Sequence, residues 1–271
     1  MKKNLVIFHG NCIDGFTAAW AAWRHFGDDD TEYLPAEYGH AVPGDIAGRD
    51  VYIVDFSYKR DLLLLLKQYA SSILILDHHK TAQEDLKDLP YARFDMERSG
   101  AGMTWDYFHG AESRPWLIDY VEDRDLWRFK LPGSKEVNAW VGAQKRTDFA
   151  GWTRLMEEGL GSAGASGAAV MQYVERYVEE MAAQAREVYT DHSPLPIPMV
   201  NAPYINTSEL VGRLAERAPF AIGWFQRKDG LYQYSLRSRG DSGTDVSDIA
   251  KKYGGGGHKN AAGFTSETQV W

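Results

Sequence analysis

Three short apolar runs constrain this chain most, because each has the length of one buried strand and each ends on residues that bind cations. Leu5-Val6-Ile7-Phe8 runs into His9, with Asp14 five residues on. Val51-Tyr52-Ile53-Val54 runs into Asp55, and Ser72-Ile73-Leu74-Ile75-Leu76 runs into Asp77-His78-His79. Apolar runs of this length fit strands covered on both faces. Helical segments alternate with them at residues 17–23 and 59–69, and a further strand is expected over 32–37. The alternation predicts an α/β fold, a mostly parallel sheet with helices on both faces. The carboxyl ends of parallel strands share one edge, and ligands bind there. His9, Asp14, Asp55, Asp77, His78 and His79 should therefore converge on one pocket of oxygen and imidazole donors, suited to Mn, Mg, Zn or Fe.

Helices are also expected near residues 101–108 and 116–122, the second running into the acidic segment Glu122-Asp123-Arg124-Asp125. The stretch 151–189 reads as helical with a Gly/Ser/Ala break at 161–167. Val170, Tyr173, Val174, Tyr177, Val178, Met181, Ala182, Ala185 and Val188 then recur at helical spacing and mark a packed face. Pro194, Pro196 and Pro198 read as an extended linker. Beyond them, strands at 220–226 and 231–237 flank the turn Lys228-Asp229-Gly230, followed by a helix at 246–253 and four glycines before His258. The expected organisation is a catalytic domain over 1–165, a connecting helix and Pro-rich linker over 166–199, and a smaller α/β domain over 200–271.

The chemistry that needs paired carboxylates and imidazoles at strand ends is metal-assisted phosphoryl hydrolysis, in which two divalent cations activate water and stabilise an in-line displacement. Asp55 is the expected bridge between them, and Asp77 is expected to orient the imidazole of His78 or a neighbour. Glycines 254–257 let the backbone approach an anion closely, with Gly255, Gly256, Gly257 and His258 facing it; Arg237 and Arg239 would add fork-shaped phosphate donors. Trp127 or Tyr253 would offer a face for a base to stack on. Cys12 reads either as a soft metal ligand or as a buried small hydrophobe.

Charge limits the partners. A formal net charge of −8 argues against long duplex nucleic acid, which is held by many phosphate neutralisations. A single cysteine excludes an intrachain disulfide. The four apolar residues before His9 are too few for a signal-peptide core, and no apolar run reaches the roughly 18 residues of a membrane span. A soluble, cytoplasmic protein without a membrane partner is expected.

Taken together, five segments resemble the DHH phosphoesterase superfamily in its branch with a DHHA1 C-terminal domain. They are His9-Gly10-Asn11-Cys12-Ile13-Asp14-Gly15-Phe16, Val54-Asp55-Phe56-Ser57, Asp77-His78-His79, Glu122-Asp123-Arg124-Asp125-Leu126-Trp127, and the run from Gly254 through His258 to Phe264. Leu236-Arg237-Ser238 resembles the arginine–serine pair ahead of that glycine run. The resemblance implies a two-domain hydrolase with a binuclear, Mn²⁺-preferring centre in the cleft between domains. Carried onto this chain, it makes His9, Asp14, Asp55, His78 and Asp123 metal ligands. It gives His79 a contact with substrate or attacking water, and Arg237, Ser238 and the glycine loop the substrate clamp. Many members carry two aspartates in the first motif; here Cys12 stands where the earlier one would be.

The resulting expectation is a phosphodiesterase that degrades short single-stranded oligonucleotides, RNA or DNA, to mononucleotides, as the nano-RNase branch does, with a homodimer as the implied assembly. The alternative is a hydrolase of cyclic mono- or dinucleotides or of 3′-phosphoadenosine 5′-phosphate. A third reading is an inactive nucleotide-binding sensor, for which the Cys12 replacement is the support. Long-strand exonucleases of the RecJ type carry an additional nucleic-acid-binding domain, for which this chain has no room.

Overall fold

The computed structural model describes residues 2–10, 12–110, 112–240 and 243–271. The chain divides between Met171 and Gln172 into two compact units.

The first unit begins with β1 (Asn4–His9), α1 (Ile13–Phe26), β2 (Thr31–Ala36), β3 (Asp50–Val54), α2 (Arg60–Leu66), β4 (Ser72–Asp77), α3 (Lys80–Leu86) and β5 (Ala92–Phe94). It continues with α4 (Gly100–His109), α5 (Trp116–Asp125), α6 (Ser134–Gly142), α7 (Phe149–Glu158) and the start of α8 (Leu160–Ala182). Among the described residues the sheet has five parallel strands in the order β2-β1-β3-β4-β5.

Two-residue alternation sorts each strand between two cores. Val6, Phe8, Val54 and Leu76 pack with Phe16 and Trp20 of α1, Trp105 of α4, and Leu117 and Val121 of α5. Leu5, Ile7, Val51, Ile53, Ile73 and Ile75 pack on the opposite face with Leu63 and Leu66 of α2 and Leu86 of α3. Each such side chain contributes about 1.5–3 kcal/mol on burial. A one-residue slip would exchange the two faces, so the register is firmly set. Phe8 pairs with Val54 and Val54 with Leu76, which brings His9, Asp55 and Asp77 to the same level. The strand order reverses between β1 and β3, the position at which open α/β sheets form a crevice.

The second unit holds the end of α8, then β6 (Arg186–Thr190), β7 (Ser193–Asn201), α9 (Thr207–Ala215), β8 (Phe220–Gln226), β9 (Tyr232–Ser238), α10 (Val246–Lys252), β10 (Gly256–His258) and β11 (Ala261–Ser266). Its sheet, six strands among the described residues, runs β10-β11-β9-β8-β7-β6 and is antiparallel except for the β7–β8 pair. Met199, Phe220, Ile222, Tyr234 and Leu236 form a core with Val246 and Ile249 of α10 and Phe264 of β11. The expected stripe packs along α8, where Val174, Tyr177, Val178 and Met181 meet Val200, Ala202 and Leu210, but the helix ends at Ala182 rather than near 189 and Val188 lies in β6.

Three expectations are corrected. The Gly/Ser/Ala break lies inside α8, which is continuous. Its small residues serve packing, since a Cβ on Gly167 would stand within bonding range of the Glu136 carbonyl oxygen on α6. The proline segment is not an extended linker: Pro194, Pro196 and Pro198 lie in β7, paired with β6 and, from Met199, with β8. Alternation puts the three missing N–H groups on one side of the strand, so the odd residues keep their donors for pairing. The glycine loop is half strand, with Gly256, Gly257 and His258 paired to Gly263, Ala262 and Ala261. Among the described residues, no helix is long and apolar enough to cross a membrane.

Candidate metal centre

The carboxyl edge of the parallel sheet gathers two groups of three donors. Asp14, His78 and Asp125 form one, and His9, Asp55 and His79 the other; within each, the donor atoms lie within 4.8 Å of one another. Asp55 touches both. Its Oδ1 is 3.1 Å from His78 Nε2, and its Oδ2 is 3.4 Å from His9 Nδ1. A positive φ of 54° turns the Asp55 backbone out of the β3 line. That conformation is costly for a residue with a side chain and persists where the surroundings over-determine it. The Asp55 N–H donates to the Leu76 carbonyl at 2.9 Å, which anchors the turn.

Each remaining donor is held by its own element. Asp14 lies in the first turn of α1, and its two oxygens accept from Gly100 N (2.6 Å) and Ala101 N (3.0 Å) at the start of α4. Gly15 has no room for a side chain, since a Cβ would sit 2.3 Å from the His9 carbonyl oxygen. Asp77 is fully buried. Its Oδ1 accepts from His78 N at 2.8 Å, from His79 N at 3.2 Å and from His79 Nδ1 at 2.7 Å. A ring that donates from Nδ1 keeps its lone pair on Nε2, the form a metal or a reacting proton requires. Asp77 thus orients His79, where the sequence left the choice between His78 and a neighbour.

The donor set itself calls for a cation. His78 Nε2 faces Asp55 Oδ1 at 3.1 Å, Asp125 Oδ2 at 3.4 Å and Asp14 Oδ2 at 3.6 Å. One imidazole nitrogen carries at most one proton, so three carboxylates, buried Asp14 and Asp55 and half-buried Asp125, converge on a single donor. Burial and the charges of Asp55 and Asp125 push the Asp14 carboxyl well above its ordinary range, and burial with Asp55 raises Asp125. Burial alone would lower His78 and His9, but Asp125 and Asp55 raise the first well above normal, and Asp55 and Cys12 raise the second. Asp55, despite its burial, is held well below the usual carboxylate range by hydrogen bonds from His78 and His9. A divalent ion held by these residues would replace this proton sharing with charge neutralisation, and carboxylate with imidazole is donor chemistry suited to it.

The structure corrects one expected ligand and reveals supports the sequence reading missed. Asp123 does not face the cluster: its oxygens accept from Lys130 N at 2.9 Å and Leu131 N at 3.2 Å and brace the turn after α5. Asp125 faces the cluster instead. Residues two apart on a helix point about 200° apart, so only one of the pair can look inward. Ser99-Gly100-Ala101-Gly102 was not singled out. Ser99 caps α4 by accepting from Gly102 N at 3.1 Å, and a Cβ on Gly100 would lie 2.3 Å from Asp55 Cβ. Buried Glu122 fixes this start by accepting from Ser99 N (3.0 Å), Arg98 Nε (3.1 Å) and Arg114 (3.0 Å). A serine followed by two glycines at a helix start was the available signal. Cys12 lies outside both groups of three; its thiol pairs with His9, and burial and Asp55 push its pKa up.

Comparison with known proteins extends this. Residues 200–270 match the DHHA1 domain. The chain is 32% identical over 287 residues to the uncharacterized protein R106 of Acanthamoeba polyphaga mimivirus, covering 97% of this chain and 67% of that protein. Two solved structures share the fold. The pGpG-specific phosphodiesterase PggH from Vibrio cholerae aligns at a TM-score of 0.52 and 15% identity, over 97% of this chain and 93% of that one. RecJ in complex with Mn²⁺ from Thermus thermophilus aligns at 0.52 and 14%, over 97% and 49%. Residues 200–270 are thus a DHHA1 domain, and the chain belongs to one family with R106.

In the DHHA1 unit the expected clamp residues have visible structural duties. Arg237 donates to Ser208 Oγ at 2.8 Å and to the Leu236 carbonyl at 2.8 Å. Ser238 is buried, and its hydroxyl donates to Asn260 Oδ1 at 3.1 Å. Gly254 has φ 79° after α10, and Gly257 has φ 142°. A Cβ on Gly255 would collide with the Gly263 carbonyl oxygen. Three of the four glycines are thus required by backbone geometry. Tyr253 stacks on Phe264 at 4.5 Å inside this unit, so it is a packing residue, whereas Trp127 in the first unit is exposed.

Proposed function

We propose that this protein is a metal-dependent phosphodiesterase of the DHH–DHHA1 type that hydrolyses short oligonucleotides to mononucleotides. One observation carries the reading: Asp55 turns one carboxylate oxygen to His78 and the other to His9, spanning two groups of three donors at a strand-end crevice. His9, Asp55 and His79 would hold one cation, and Asp14, His78 and Asp125 the other. Two divalent ions, Mn²⁺ foremost with Mg²⁺, Zn²⁺ and Fe²⁺ as alternatives, would supply a water of lowered pKa and neutralise charge on the attacked phosphate.

The residues of the chain do the rest. Asp77 keeps His79 in one tautomer and orientation. The amides of Gly100 and Ala101 hold and aim the Asp14 carboxylate oxygens. Arg237, Ser238 and the loop from Gly255 to His258 bind substrate phosphate. Water oxygen bonds to phosphorus as the bond from phosphorus to the leaving ribose oxygen breaks, and the leaving oxygen takes up a proton. A negative protein surface suits a substrate of few phosphates. Support comes from relatives of the fold, since PggH is a pGpG-specific phosphodiesterase and RecJ is an exonuclease.

The test is a Mn²⁺-supplemented panel: a pentaribonucleotide, its deoxy counterpart, cyclic AMP, cyclic di-AMP, 3′-phosphoadenosine 5′-phosphate and pyrophosphate. Stepwise release of mononucleotides from the pentamer is expected. Turnover of only a cyclic or bisphosphorylated nucleotide would overturn the substrate assignment. Binding without any turnover would overturn the enzymatic one.

A further inference from the structure

The turn that follows Asp125 is strained in a way the metal centre does not explain. Trp127 has φ 54° and Phe129 φ 48°. Both are bulky residues in the left-handed region, where Cβ crowds the backbone and glycine or asparagine is the usual occupant. Two such residues within three positions persist only where their surroundings impose them. Here Asp123 does so. Its carbonyl oxygen accepts from Arg128 N at 2.8 Å and Phe129 N at 3.3 Å, and its carboxylate takes Lys130 N and Leu131 N. Trp127 N donates to the Arg124 carbonyl at 2.8 Å, and the Arg128 guanidinium to the Glu97 carbonyl at 2.7 Å.

The product of this bracing is an outward-facing indole. Of the nine tryptophans, Trp127 alone is largely exposed, at 52%. Its ring meets the edge of Phe129 at 4.9 Å, and Lys135 Nζ lies 5.5 Å from the Phe129 ring, so the platform has a backing. The acids of the segment are turned inward, Asp123 to the turn and Asp125 to His78. Lys130 and Lys135 are exposed, as is Arg128, which also pairs with the Glu97 carboxylate at 3.3 Å, in a chain whose net charge is −8. An exposed aromatic among cations is the pattern that holds a single-stranded nucleotide, with the base on the ring and the phosphates near the charges.

We infer that Trp127 is the stacking platform for a nucleobase whose phosphate sits at the Asp55 cluster. The inference rests on the phosphodiesterase reading for the identity of that phosphate site. Trp127 lies two positions beyond Asp125, so their Cα atoms are within about 7 Å, the reach a nucleotide spans from phosphate to base. Stacking tolerates any base, so Trp127 confers a demand for a base rather than a preference among them.

Two measurements test this on the full chain with Mn²⁺. In the first, wild type, Trp127→Ala and Trp127→Phe are compared on a dinucleotide and on the same dinucleotide made abasic at either position. Trp127→Ala should raise KM for the base-bearing substrate about 10- to 100-fold, leave the abasic substrates unchanged, and be largely rescued by Trp127→Phe. Equal loss on every substrate, or no loss on the base-bearing one, overturns the proposal. In the second, adenosine 5′-monophosphate should quench a fluorescence component that Trp127→Phe lacks, while ribose 5-phosphate should not. Equal quenching in both proteins, or by ribose 5-phosphate, overturns it. If wild type binds in this way but cleaves no phosphodiester, the enzymatic reading falls and the platform stands. Turnover indifferent to Trp127 removes the platform alone.

Discussion

Asp123 and Asp125 differ by two positions and carry opposite duties, which makes the pair the sharpest residue-scale test. Asp125 faces His78, while Asp123 supports the turn. Asp125→Asn should reduce turnover by more than about 100-fold, since even outer-shell partners of metal ligands are worth 10–100-fold. Its melting temperature should hold or rise, because one of three converging carboxylates is neutralised. Asp123→Asn should instead lower stability by about 1–3 kcal/mol, through loss of hydrogen bonds to a charged group. Thermal melts and kinetics on the two variants would show crossed effects; a kinetic collapse confined to Asp123→Asn would return the ligand role to Asp123. Gly100→Ala gives a second test. Alanine usually favours a helix over glycine by about 0.5–1 kcal/mol. Here the added methyl would lie 2.3 Å from Asp55 Cβ and 2.8 Å from Asp55 Cα, so Asp55 must move. Both stability and turnover should fall, and a more stable, active Gly100→Ala protein would show that this approach is not required.

At the scale of elements, what was legible in the sequence followed from burial on both faces. The runs ending at His9, Asp55 and His79 could only be covered strands, and their shared edge followed from parallel pairing. Helix phase was not legible: the run Glu122-Asp123-Arg124-Asp125 places an acid on either side of α5, and only the packed helix selects Asp125. β7 was hidden because Pro194, Pro196 and Pro198 outweigh any strand signal until pairing with β6 is seen. The continuity of α8 was hidden because Gly167 looks like a breaker until the Glu136 backbone is found against it. The turn after α5 also answers to pH. Burial would raise the Asp123 carboxyl, but Ser134 and the amides of Lys130 and Leu131 hold it below its ordinary value. Its stabilisation is therefore fully present above the unfolded carboxylate pKa of about 4 and is lost as pH falls through the lower folded value. Asp123→Asn should flatten the acid limb of the melting-temperature curve, measured between pH 7 and pH 3. A limb as steep as that of wild type would count against this role.

At the scale of the whole molecule, the first unit stores electrostatic repulsion that a bound ion should release. Asp14, Asp55 and Asp125 crowd one histidine nitrogen, and the folded chain tolerates this through shared protons. An ion that binds only the folded state stabilises it by about 2.7 kcal/mol at a hundredfold excess over its Kd. For a domain of 150–250 residues this is about 5–10 °C. Mn²⁺ added to chelator-stripped protein should therefore raise the melting temperature by that order, and Asp55→Ala should abolish the rise. Hydrogen exchange should slow with Mn²⁺ at the segments that carry or brace the donors, namely residues 12–16, 54–57, 77–80, 98–102 and 123–131. Those segments come from five separate parts of the chain and share only the strand-end edge. Joint protection would be the mark of one centre closing around metal. Protection at residues 200–270 alone, with these five unchanged, would place the ion elsewhere and remove the basis for the two groups of three donors.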